Sequence, residues 1–244
     1  MMMAHHGATA AHPGHSRHRP LSQRVIIESL LTTLMLAGAL WALLTFAFDS
    51  PGYGEEDHFV TYGINSAADP VQKQSSVFHS TFGTSSGAEV SLFSDMAYSV
   101  SAKVESVTAY DDVMGEFMTY DLLLAWGELA DADVDSKLTW EQSDRRGTVS
   151  GSLEATGRDI DAAYVISHVS NSHVIAADNN IAAALATIKA GDVVRIEGRL
   201  VDIRMIDGNQ LYTVASSKSR TDQGDGACEI ILVERVRINE QTWG

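Results

Sequence analysis

Residues Ser29–Phe48 form a run of 20 residues without one charged side chain, between Glu28 and Asp49. At about 1.5 Å rise per residue, a helix of that length spans about 30 Å, the hydrocarbon thickness of a bilayer. A helix satisfies its own backbone hydrogen bonds, so it is the form in which such a run can cross lipid. The run predicts a transmembrane helix within 25–48, with Leu30, Leu34, Leu40, Trp41, Leu44 and Phe48 as anchoring residues. Arg17, Arg19 and Arg24 precede it, whereas Asp49, Glu55, Glu56 and Asp57 follow, with no basic residue before Lys73. The positive-inside rule then keeps 1–24 cytoplasmic and exports everything after the anchor. A cleavable signal peptide is the competing reading. Its apolar region is about 7–15 residues with a small-x-small site behind it, and Thr-Phe-Ala-Phe-Asp-Ser-Pro fits that poorly.

The portion after residue 48 keeps 14 basic and 31 acidic residues, a net charge of −17. Such a surface repels phosphate backbones, so the expectation is no nucleic-acid partner. The expected partners are the membrane itself and an envelope protein, and no cofactor is expected. The length suits one modest domain with its own core. The single cysteine, Cys228, cannot form an internal disulfide. It heads the apolar run Glu-Ile-Ile-Leu-Val, where a thiol ordinarily packs as a small hydrophobe.

Residues 1–24 carry His5, His6, His12, His15 and His18 among small polar residues. Their spacing matches no defined metal site, and the segment reads as a disordered tail. Residues 49–90, rich in Ser, Gly and Thr, read as a linker, and 91–240 as the exported domain. Tyr98, Val100, Ala102 and Val104 alternate with polar residues, the period-2 signature of a strand. Tyr120–Trp126 is a second apolar run. Leu138–Gln142 and Thr148–Leu153 flank Ser-Asp-Arg-Arg-Gly, which predicts a hairpin. Asp178 or Asn179 is a natural N-cap for a helix burying Ile181, Leu185 and Ile188, with Gly191 a left-handed stop. A shorter helix is expected within 159–167. In Val193–Ile206 the apolar positions change from even (Val194, Ile196, Leu200) to odd (Val201, Ile203, Met205). This predicts a bulge near Gly198–Val201. Asp207-Gly208 turns the chain into Leu211–Ala215, and 228–238 closes the set. The order predicts a mainly β fold with one or two short helices, a small OB-like or SH3-like barrel or roll.

Three groups of residues are candidates for chemistry. His168 and His173, five apart, do not share a helical face, which favours structural hydrogen bonding over metal ligation. Asp222, Asp225 and Glu229 lie in a Gly-rich loop that offers the hard oxygen ligands calcium takes. The loop lacks the spacing of a calcium motif, and Arg220 paired to Asp222 or Asp225 is the structural alternative. Cys228 and His173, with Asp178 or Asp222 as the acid, could form a thiol nucleophile and base. The first functional reading is a tethered interaction or assembly module without catalysis. A cysteine-dependent hydrolase or thiol enzyme through Cys228 and His173 is the alternative, and a calcium-dependent binder the third.

Tyr-Asp-Leu-Leu-Leu-Ala-Trp-Gly (120–127), Ser-His-Val-Ile-Ala-Ala (172–177), Gly-Asp-Val-Val-Arg-Ile-Glu-Gly-Arg-Leu-Val (191–201) and Arg-Thr-Asp-Gln-Gly-Asp-Gly-Ala-Cys-Glu (220–229) resemble a family of uncharacterised bacterial single-pass membrane-anchored proteins. The resemblance covers about residues 96–237, and departs from the family's His-Ile-Ile-Pro-Ala at Ala176. It implies bacterial origin and a shared fold, and with the topology above the expectation is a bacterial inner-membrane protein with a periplasmic domain. It implies no activity.

Overall fold

The computed structural model describes residues 64–222 and 226–244. The anchoring residues Leu30, Leu34, Leu40, Trp41, Leu44 and Phe48 and the His-rich tail lie outside the described residues, as does Asp225. Among the described residues no helix is long and apolar enough to cross a membrane.

The described chain is mainly β. Its strands are β1 (Val71–Gly83), β2 (Glu89–Ala109), β3 (Tyr120–Ala125), β4 (Leu138–Ser143), β5 (Arg146–Gly151), β6 (Val169–Ala176), β7 (Val193–Asp207), β8 (Gln210–Val214), β9 (Ile230–Ile238) and β10 (Gln241–Trp243). Three short helices are α1 (Ala132–Asp135), α2 (Ala162–Ser167) and α3 (Asn179–Leu185). Eight strands form one sheet in the order β1-β2-β3-β6-β9-β7-β8, with β10 on β9. Because β2 also pairs with β7, the pairings β2-β3-β6-β9-β7-β2 close into a ring. Only β6 and β9 run parallel in it.

One apolar cluster draws on all five ring strands: Tyr98, Val100, Leu122, Leu124, Val174, Ile196, Leu200, Ile231 and Val236 are among its buried members. Ile181, Leu185 and Ile188 of α3 and its exit pack into the same cluster. Asp178 caps α3 by accepting from the Ile181 N–H at 2.8 Å, and Gly191 has φ +90°, as the sequence predicts. A second cluster on the opposite strand faces holds Val90, Leu92, Ile175, Val201, Ile203, Met205, Ile230 and Leu232.

Those two clusters correct the reading of β7. Its even residues up to Leu200 enter the first cluster, and Val201, Ile203 and Met205 enter the second. The strand simply alternates, and no residue of β7 is bulged. The extra residues are on its partners: β2 gains one between Phe93 and Met96, and β9 gains one opposite Glu197 and Gly198. Gly198 nevertheless marks a close approach. A Cβ there would lie 1.9 Å from the Leu232 carbonyl oxygen.

The stretch read as linker is also corrected in part. Residues 71–83 and the start of β2 are strand, and β1 pairs β2 from Val71↔Ser99 to Gly83↔Glu89. β1 is a polar edge strand, so its alternation carries little hydrophobic signal.

Candidate functional site

β3 and β6 pair antiparallel with Asp121 directly opposite His173 and Leu123 opposite Asn171. Side chains of a strand alternate in face. Leu122 and Leu124 therefore enter the first core while Asp121 and Leu123 take the other face, as do Asn171 and His173 on β6. The β4–β5 hairpin lies over this face. Gly147 makes that possible: a Cβ on it would come 2.4 Å from Leu123 Cδ1 and 3.3 Å from Asn171 Cβ. The hairpin turn is Asp144-Arg145, with φ +50° and +59°, the left-handed pair that a two-residue turn of this hand requires.

The result is a polar cluster of five side chains. Asp121, fully buried, has its Oδ1 2.7 Å from His173 Nδ1. The Cys228 sulfur lies near enough to act on the charge of His173. Asn171 donates from Nδ2 to Asp121 Oδ2 at 3.4 Å, to the Arg145 carbonyl at 3.0 Å and to Cys228 Sγ at 3.9 Å. Its Oδ1 accepts from Gln142 Nε2 at 2.6 Å, and Gln142 in turn accepts from Thr108 Oγ1. The Cys228 thiol donates to the Arg145 carbonyl at 3.8 Å and is partly exposed. Arg145 spans the rim: Nη2 reaches Asp112 at 2.7 Å, Nη1 lies 3.6 Å from Asp121 Oδ1, and its guanidinium covers the Tyr110 ring at 4.0 Å.

Burial disfavours a charged His173. The Asp121 hydrogen bond and the nearby Cys228 sulfur outweigh it and push the imidazole up to about 9. At neutral pH the ring is an imidazolium held between a carboxylate and a thiol. Burial opposes the charge on Asp112 too, yet the Arg145 bond and the Gly115 N–H hold its carboxyl below the ordinary range.

Cys228 and His173 are thus brought together as a pair, but the acid beside them is neither Asp178 nor Asp222. Asp178 is spent on the α3 cap, and Asp222 accepts from Ser217 Oγ at 2.8 Å. Asp121 takes the role, with Asn171 and Arg145 around it. Glu229, just before β9, is turned away from the Cys228 cluster. It is buried and bonded to Arg220 and to Ser170 Oγ. Arg220 therefore pairs with Glu229, not with Asp222. Among the described residues no group of three His, Cys, Asp or Glu is arranged to hold a metal. His168 stacks on Tyr164 at 3.7 Å, and its Nδ1 is 2.8 Å from the Tyr164 carbonyl oxygen, a local structural role.

Comparison with protein-family models, with curated proteins and with solved structures finds no match to this chain. The reading of the site therefore rests on its own geometry.

Proposed function

We propose that this chain is a membrane-tethered, cysteine-dependent hydrolase acting on an acyl carbonyl, with Cys228 the nucleophile, His173 the base and Asp121 its orienting group. The observation that carries the reading is the buried Asp121–His173 hydrogen bond with Cys228 beside it, Asn171 donating to both the thiol and Asp121. A nucleophile, a base and a third group fixing the base are the minimum a covalent acyl transfer needs. Asp121 holds Nδ1, which leaves Nε2 for the thiol. With His173 already protonated, Cys228 Sγ adds to the carbonyl carbon as the thiolate paired with the imidazolium. As the tetrahedral species collapses, the leaving group takes the imidazolium's proton and a thioester remains on Cys228. Water, deprotonated by the now neutral His173, then releases the acid and restores the thiolate and imidazolium.

The finer fold reading is an OB-like barrel. The closed ring of five strands supports it, with α3 between the third and fourth of them and only the third and fifth parallel. The charge-free run 29–48 and its asymmetric flanks support the tether and a periplasmic domain of a bacterial inner-membrane protein. The non-catalytic interaction module stays as the second reading because of one observation. β8 pairs with β7 alone and leaves Leu211 and Tyr212 exposed at the sheet edge, where a partner strand would add.

The test uses the detergent-solubilised full chain and p-nitrophenyl acetate as the acyl donor. The expected result is nitrophenol release with an acetyl adduct on Cys228, lost in Cys228→Ala. Loss of the base in His173→Gln should slow release about 10²–10⁴-fold. No adduct on Cys228, with equal rates in the two proteins, overturns the hydrolase and leaves the interaction module.

A further inference from the structure

The Arg145 carbonyl oxygen has an unusual set of neighbours. It is the acceptor for both the Cys228 thiol, at 3.8 Å, and the Asn171 amide, at 3.0 Å. Those are the two groups that a reacting carbonyl would meet: the attacking sulfur, and an N–H donor for the oxygen that becomes negative. We propose that the hairpin tip occupies the place of the substrate carbonyl, that Asn171 is the oxyanion donor, and that Arg145 must withdraw before Cys228 can react.

Resting on the hydrolase reading above, this adds a catalytic residue and a means of regulation to the same site. Arg145 holds the tip down. Its N–H donates to Tyr110 Oη at 2.9 Å, Nη2 is paired with Asp112 at 2.7 Å, Nη1 donates to the Met118 carbonyl at 3.5 Å and lies 3.6 Å from Asp121 Oδ1, and the guanidinium stacks on the Tyr110 ring. Asp112 is more than half exposed, so that part of the latch is open to solvent. Asn171 is well placed to serve two states. Buried, with its Oδ1 fixed by Gln142, it keeps Nδ2 aimed at the sulfur whether or not the Arg145 carbonyl is present.

Two probes separate the parts, because alkylation of a thiol by iodoacetamide forms no oxyanion whereas acylation does. In Asn171→Ala, acylation by p-nitrophenyl acetate should fall about 10²–10³-fold, the usual loss for one oxyanion donor. Alkylation of Cys228 should change by less than about 3-fold, because thiol and base remain. Equal losses with both probes would make Asn171 merely structural and overturn its assignment. In Asp112→Asn and Tyr110→Phe the latch is weakened, and alkylation should speed up several-fold. Added salt should speed the wild type as well, because it screens an exposed pair, and leave Asp112→Asn flat. Unchanged alkylation in both latch variants would overturn the strap. If no acylation is seen in any protein, the hydrolase reading fails, and with it the oxyanion role. The alkylation rates still decide the strap by themselves.

Discussion

Two polar clusters lie back to back on β6, and they are built for different ends. On the ring's inner side, Ser170 and Ser172 meet Glu229 and Arg220, and Arg220 also donates to Tyr98 Oη and lies over the Tyr98 and Trp126 rings. Their charges cancel in one buried pair, and no nucleophile faces water. On the outer side, Asn171 and His173 meet Asp121, Cys228 and Arg145, and a thiol with a charged base beside it is partly exposed. Strand alternation deals residues 170 to 173 to opposite faces, and Cys228 and Glu229, leading into β9, part the same way. The same few polar residues thus supply a structural lock on one face and a reactive group on the other.

Mutating one face at a time should separate stability from chemistry. The largest effect should come from the outer set. Asp121→Asn should cut acyl release at least about 10²-fold, measured well below its melting temperature, because it removes the group that fixes His173. The inner set should behave in the opposite sense. Glu229→Ala leaves Arg220 without its partner, and breaking a buried pair costs about 3–5 kcal/mol. At about 2–4 °C per kcal/mol for a domain of this size, the melting temperature should drop by about 10 °C while Cys228 stays reactive in the remaining folded protein. A loss of acyl release in Glu229→Ala, measured well below its melting point, would show that the faces are not independent.

A smaller effect tests the ring that separates the two faces. Gly198→Val would place a Cβ against the Leu232 carbonyl, where backbone cannot yield as a side chain does. Overpacking of this kind costs about 1–3 kcal/mol, and thermal unfolding should register it as a drop of several degrees. An unchanged melting temperature would mean that β7 and β9 separate easily at this point.

The smallest effect is a pH dependence of stability. Because the folded pKa of His173, about 9, lies above its ordinary value of 6.5, its contribution is fully present below about pH 6.5. It is lost as pH rises through about 9. The stability advantage of wild type over His173→Gln should therefore shrink across that window, by roughly 1–3 kcal/mol. An advantage that grows with pH would contradict the imidazolium.

β2 and β7 show how far periodicity reaches. Along β2 the even positions Val90 and Leu92 enter one core and Tyr98 and Val100 the other, on either side of a bulge between Phe93 and Met96, and the lone polar Ser94 in the even series is its one mark in the sequence. Along β7 the apolar positions change phase with no bulge at all, because different ends of the strand are covered on different faces. Hydrophobic pattern reports which residues are buried. It reports the path of the backbone only when a single core does the burying. The α3 cap, its apolar stripe and the β4–β5 hairpin are local, and they are legible for that reason. The site was half legible: Cys228 and His173 stand out as reactive residue types. Asp121 does not, because it sits between Tyr120 and Leu122 at the head of an apolar run, and its partner lies 52 residues away. Only the β3–β6 register joins them. A lone acid inside an otherwise apolar strand was the one signal available.

The measurement closest to the central claim is the pH profile of Cys228 alkylation by iodoacetamide in the wild type and in His173→Gln. An imidazolium beside the sulfur predicts a wild-type rate at pH 6–7 well above that of the variant. The two profiles should converge above about pH 9, where His173 loses its proton. Profiles that coincide across the whole range would contradict the account: Cys228 and His173 would then be neighbours without chemistry between them.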